Sequence, residues 1–199
     1  MLKLAALGRR FDQIYSVGVL HHLADPMRGL ATLASLLSPG GRMLVGLYSE
    51  QSRQDVVAAR TFIAERGYAT TDADISRCRQ DLMSVDRGRR FSRLAARTDF
   101  YVTSECRDLL FHVQERRFTL PQLRSMLAAL ELQFDGFVLT PEVAARYQAR
   151  YGPPAGLADL AGWEAFEADC PDAFAGMYIF WVRRDREQVH GASPPASSS

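Results

Sequence analysis

Apolar and polar positions divide this chain into four short apolar runs separated by helical patterns. Residues 11–18, FDQIYSVG, are partly β-branched and aromatic and follow the breaker Gly8, so they predict a strand. Asp25-Pro26 predicts a helix start: Asp25 can cap it, and proline fits the first turn, where a missing N–H costs nothing. Met27, Leu30, Leu33, Ala34 and Leu37 recur at helical spacing and give one buried stripe. Ser38-Pro39-Gly40-Gly41 predicts a turn. Residues 42–48, RMLVGLY, are nearly all apolar, as expected of a strand covered on both faces by helices.

Residues 54–66 and 72–85 predict two helices, followed by a basic loop and a short helix near 104–110. Thr119-Leu120-Pro121-Gln122 is a capping box, and Leu120, Leu123, Leu127 and Leu130 give the buried face of the helix it opens. Residues 132–139, LQFDGFVL, predict a third strand. A helix follows from Thr140-Pro141 to about Tyr151, where Gly152-Pro153-Pro154 breaks it. Trp163 and Phe166 belong to a further short helix, and residues 177–182, MYIFWV, predict a last strand with both faces apolar. The end, HGASPPASSS, has the composition of a disordered tail. Strands alternating with helical segments make the chain α/β.

Composition narrows the function classes. With 199 residues and 47% hydrophobic residues the chain can build a real core. Its net charge of +1 supplies no overall field for nucleic acid or membrane. No apolar stretch approaches the ~20 residues that span a bilayer. Cys78, Cys106 and Cys170 are far apart and form no CxxC pair, so a cytoplasmic protein with reduced thiols is expected.

FDQIYSVGVLHHLADP followed by LLSPGGRMLVGLY resembles the middle of a class I S-adenosylmethionine-dependent methyltransferase. The resemblance implies a partial Rossmann-like three-layer sandwich holding that fold's strands four to seven, with a helical insertion after strand five. On this reading residues 1–186 are the C-terminal portion of the domain, 51–118 a helical lid and 187–199 a tail. DFYVTSECRDLLFHVQERRFTL also resembles a bacterial subgroup often fused to tetratricopeptide repeats, although no repeat is present. The family's glycine-rich cofactor loop and the ribose-binding acid have no counterpart here, and about ten residues precede the fourth strand. The expectation is therefore a truncated methyltransferase whose 11–18 strand is a bare apolar edge, covered by a partner or by self-association. The other reading is a non-catalytic remnant that acts as an interaction module through its arginine-rich insertion.

The resemblance also implies a site. S-adenosylmethionine would lie against Ser16, Val17, Gly18, Val19 and Leu20, and His21 maps to a histidine that deprotonates the acceptor in related O-methyltransferases. The plain alternative for the pair is one histidine packed under the loop and the other bonded to backbone. A metal site is disfavoured, because adjacent histidines in an extended segment point to opposite sides. Tyr48 and Arg53 follow the fifth strand and are candidates for substrate contact; a buried tyrosine tip and a solvated arginine is the competing reading. Tyr101 and His112 complete the substrate candidates, with Arg107 nearby. Residues 76–97 carry seven arginines (77, 79, 87, 89, 90, 93, 97) against Asp81 and Asp86. They suggest an acidic substrate, an RNA backbone or an acidic protein surface, or else a solvated loop balanced by acids elsewhere; nucleic acid is not favoured because no aromatic stacking pattern accompanies them. Cys106 reads as a buried structural thiol.

Overall fold

The computed structural model describes residues 8–85, 90–111, 115–152 and 158–185. Four strands form one sheet: β1 (Phe11–Val17), β2 (Leu37–Tyr48), β3 (Leu132–Phe137) and β4 (Met177–Arg184), in the order β1-β2-β4-β3. β1 and β2 are parallel, while β4 runs antiparallel to both β2 and β3. The last strand in the chain, β4, therefore sits between β2 and β3. The helices are α1 (Pro26–Ser35), α2 (Gln54–Arg66), α3 (Asp72–Ser84), α4 (Ser92–Ala95), α5 (Thr103–Phe111), α6 (Leu120–Ala129), α7 (Pro141–Tyr151) and α8 (Leu160–Asp169).

The helix starts follow the local chemistry. The Arg28 N–H donates to Asp25 Oδ1 at 2.9 Å, and Pro26 occupies the first turn of α1. Thr119 and Gln122 form the reciprocal capping box of α6. Three expectations change. α1 ends at Ser35, and Leu37 belongs to β2, still fully buried. Residues 38–41 are an excursion within β2 rather than a free turn: Phe11 pairs with Leu37 and Gln13 already with Arg42. Phe11 N–H donates to the Leu36 carbonyl at 2.8 Å, so pairing begins before the glycines. α4 occupies part of the stretch expected to be a basic loop.

Coverage of the two sheet faces is unequal. Met43, Val45, Leu47, Tyr178, Phe180 and Val182 are buried with Leu30 and Leu33 of α1, Leu123 and Leu127 of α6, Tyr147 of α7 and Trp163 of α8. Trp163 stacks on Tyr147 with ring centroids 3.8 Å apart. The alternate residues Leu44, Ile179 and Trp181 are only half-buried, and Tyr15 is 65% exposed beside Trp181. This corrects the expectation that β2 is covered on both faces by helices: strand hydrophobicity does not by itself show what packs on each side. β1 and β3 are the two sheet edges among the described residues; on β1 Phe11, Tyr15 and Val17 are exposed, as is Val19 just beyond it.

Helices α2 to α5 enclose a second apolar cluster, which includes Val56, Phe62, Ile75, Leu82, Phe91, Phe100 and Leu110. This insertion leaves the sheet after β2 and returns at Phe118. There Ser49 and Phe118 form a parallel bridge, and Glu50 N–H and Phe118 N–H donate to Phe118 and Tyr48 carbonyls, each at 2.8 Å. His112, Arg87, Arg89 and residues 187–199 lie outside the described residues. Among the described residues no helix is long and apolar enough to cross a membrane.

Candidate functional site

Sheet and insertion meet around a cleft of about 520 Å³ lined by His22, Tyr48, Arg53, Arg97, Asp99, Glu105, Asp108, Leu109 and 175–177. It lies just beyond the carboxyl ends of β1 and β2, the place where open α/β sheets bind ligands. A larger depression near Arg117 and Gln122 sits at the start of α6 and shares none of these residues.

The loop after β1 does not run extended. Leu20–His22 forms one 3-10 turn, which fixes the two imidazoles differently. His21 is 0% exposed, whereas His22 is exposed and lines the cleft. The ring of His21 stacks on Tyr48 at 3.7 Å between centroids and meets His22 edge-on at 4.4 Å. Neither His21 ring nitrogen has a hydrogen-bond partner among the described residues. The Gly46 backbone slightly favours the charged ring without reaching hydrogen-bond geometry. Burial, reinforced by the neighbouring His22, lowers the His21 pKa from 6.5 to about 4, so the ring is neutral at physiological pH.

Arg53 is not solvated. It is 1% exposed, and its guanidinium lies 3.8 Å from the Tyr48 ring centroid, on the ring that also stacks with His21. Arg53 Nε and Nη2 donate to the two oxygens of Glu115 at 2.9 and 2.8 Å, and Arg60 shares the same carboxylate at 2.8 Å. The Glu115 side chain is itself buried, and this ion triad joins α2 to the returning segment of the insertion. Such a triad is costly to desolvate, and its value lies in fixing one geometry.

A second polar knot holds the same turn. The Ser49 hydroxyl donates to Glu167 at 2.9 Å, the Tyr178 hydroxyl reaches both Glu167 oxygens at 2.8 Å, and Ser52 N–H donates to Ser49 Oγ at 3.0 Å. Burial raises the Glu167 pKa, and the two hydroxyl donors only partly oppose it. The Tyr178 phenol is raised as well, by burial and then by the Glu167 charge. Sequence reasoning missed both Glu115 and Glu167. A lone glutamate carries no local signal of the distant partners that make it structural.

The other candidates are placed as follows. Ser16 is buried, its hydroxyl without a partner among the described residues, Leu20 is in the core, Val17 and Val19 are exposed, and Gly18 adopts a left-handed conformation (φ +76) with open space beyond its Cα. Tyr101 is exposed, donates its hydroxyl to the Ala95 carbonyl and does not line the cleft. Arg107 pairs with Asp72, Arg77 with Asp74, Arg97 with Asp99, and Arg79 donates to the Tyr101 carbonyl, so much of the described basic cluster is engaged inside the insertion. Cys78 and Cys106 are buried free thiols. Burial pushes Cys78 up to about 12 and raises Cys106 too, which makes both poor nucleophiles. Among the described residues no group of three or more His, Cys, Asp or Glu is placed to hold a metal ion.

Comparison with known proteins fits this architecture. The structure of PKMT2 from Rickettsia typhi in complex with AdoHcy superposes with a TM-score of 0.64 at 15% identity, over 92% of this chain and 38% of that one. A ubiquinone biosynthesis O-methyltransferase from Parvibaculum lavamentivorans is 50% identical over 42 residues, 21% of this chain and 17% of that protein. An uncharacterized protein of Synechococcus sp. is 52% identical over 60 residues, 30% of this chain and 14% of that protein. The chain thus matches only a small part of the length of these curated relatives. The family described as a methyltransferase domain matches residues 3–105, just over half of the chain. The fold, the position of the cleft and this match together establish that the chain belongs to the methyltransferase domain family.

Proposed function

We propose that this chain forms the acceptor-side portion of an S-adenosylmethionine-dependent methyltransferase, with the acceptor bound in the cleft between sheet and insertion. The observation that carries this reading is the cleft's place beyond the carboxyl ends of β1 and β2, where two parallel strands deliver His22 and Tyr48 to one wall. The end of β1 and the residues just after it suit the cofactor: Ser16 offers a buried hydroxyl without a partner among the described residues, and Gly18 leaves its backbone open to close approach. Ser16 to Leu20 would hold it, with Leu20 taking part through its backbone because its side chain is in the core. The cofactor supplies an electrophilic methyl group. A further strand or a second copy paired with β1 would close the other side of that crevice and cover the exposed edge.

The protein's own contribution is alignment and proton removal. His22 is the imidazole that faces the cleft, and it takes the proton from the acceptor as the methyl moves. His21 acts from behind as a neutral packing partner of Tyr48 and sets the tilt of the turn. The acceptor is a small molecule that fits the cleft, and the buried thiols suit a cytoplasmic setting.

Titrating S-adenosylhomocysteine into the isotopically labelled chain tests this reading. Saturable amide shifts confined to residues 16–22 and their neighbours are expected, with loss of saturation in Gly18→Val. Shifts scattered over the surface, or an unchanged response in Gly18→Val, would overturn it.

A further inference from the structure

Arg53 and Arg97 both line this cleft, and each has guanidinium nitrogens with no hydrogen-bond partner among the described residues. Arg53 binds Glu115 through Nε and Nη2; among the described residues its Nη1 has no acceptor, although the side chain is almost wholly buried. Among the described residues Arg97 contacts Asp99 through Nε, at 3.4 Å, and its Nη1 and Nη2 have no hydrogen bond. Gly176, at φ +91, brings the two arginines together: a Cβ there would lie 3.1 and 3.3 Å from the Arg97 nitrogens and 3.6 Å from the Arg53 stem. Tyr48 lines the same cleft. Behind Arg53, Glu115 serves two arginines, so the buried triad keeps one positive charge in excess.

Carboxylates are present too. Asp99 partners Arg97, while Glu105 and Asp108 stand on α5, exposed to solvent. Water and salt screen exposed charges far more than buried ones, so the desolvated arginine dominates the field deep in the cleft. An arginine held by a carboxylate on one edge offers its remaining N–H groups in a fixed direction, which suits the oxygens of a carboxylate or phenolate.

We infer that Arg53 Nη1 and the Arg97 guanidinium form an oxyanion-binding subsite, so that the acceptor carries a carboxylate or phenolate oxygen. This names the substrate class of the proposed acceptor cleft, and only the word acceptor rests on the methyltransferase reading. The subsite itself can be tested without cofactor. The full chain is titrated with benzoate, neutral benzamide and cationic benzylamine, following arginine side-chain and Gly176 amide resonances. An aromatic ring suits the Leu109 and Met177 part of the wall. Benzoate should bind at least about tenfold more tightly than benzamide, with benzylamine not saturating. Arg97→Met should weaken benzoate several-fold, and Arg53→Lys should keep the charge but lose the geometry. Equal binding of benzoate and benzamide, preference for benzylamine (which would give the cleft to Glu105 and Asp108), or an unchanged benzoate affinity in folded Arg97→Met would each overturn the inference. If benzoate binds as expected while S-adenosylhomocysteine does not, the subsite stands and the methyltransferase reading falls.

Discussion

The sheet draws its core from distant stretches of chain: Leu30 of α1, Val45 of β2, Leu123 of α6, Trp163 of α8 and Phe180 of β4 meet on one face. The insertion builds its core from one continuous stretch between Val56 and Leu110. One cluster needs the whole topology and the other only local helix packing. Where they meet, the contacts change character. The seam is held by Arg53, Arg60 and Glu115 and by Ser49, Glu167 and Tyr178. Apolar packing tolerates substitutions of similar volume, whereas buried polar partners demand one geometry. Arg53 belongs both to the seam and to the cleft wall, so the buried ion triad fixes its geometry where it meets the cleft.

The strongest challenge to this contrast is Trp163→Ala. It should cost about 3–5 kcal/mol in urea unfolding and melt the sheet. If near-ultraviolet and far-ultraviolet circular dichroism then separate, with helical signal outlasting the sheet, the insertion core is independent; coincident transitions would make the two cores one cooperative unit.

Glu115→Ala attacks the seam. Leaving Arg53 and Arg60 without their carboxylate should cost about 3 kcal/mol. Hydrogen exchange should quicken around the start of α2 and the 115–118 segment while β2 and β4 stay protected. Uniform loss of protection would show that the clasp stabilises the whole molecule equally.

Two buried groups give pH dependences of opposite sign. His21 is lowered from 6.5 to about 4, so between those values the folded state binds fewer protons than the unfolded one. Its contribution is complete above about pH 6.5 and is lost as the pH falls toward 4. Discounted for screening, it amounts to roughly 2 kcal/mol, and His21→Leu should flatten that part of the stability curve. Glu167 is raised, so stability from this group declines as the pH climbs from the ordinary carboxylate range through its folded value. Glu167→Gln should remove that decline. Thermal melts of both variants against pH separate the two, and curves parallel to the wild type would refute the assignment. The smallest effect expected is Asp25→Ala, about 1 kcal/mol from the lost cap of α1, read from the urea midpoint.

Much of the framework was legible in the sequence because it rests on local rules. Asp25 and Thr119 cap the helices they were expected to cap, and the four apolar runs became the four strands. The spacing of FDQIYSVGVLHHLADP and PGG led to the family that the comparisons establish. The excursion at 38–41 was missed because the pairing of Phe11 with Leu37 is decided across the sheet, not along it. The histidine pair was read as extended, and only the turn at Leu20–His22 shows that His21 faces the core and His22 the cleft.

The sequence by itself determined the elements, their order, their caps and the α/β class, because periodicity, glycine, proline and capping residues act over a few neighbours. The tertiary structure alone decided which face of the sheet is covered, which histidine meets the cleft, and that Arg53 is buried against Glu115, 62 positions away. Those outcomes depend on burial and on hydrogen bonds between remote residues, and a partner that folding brings from far along the chain leaves no trace in the local pattern.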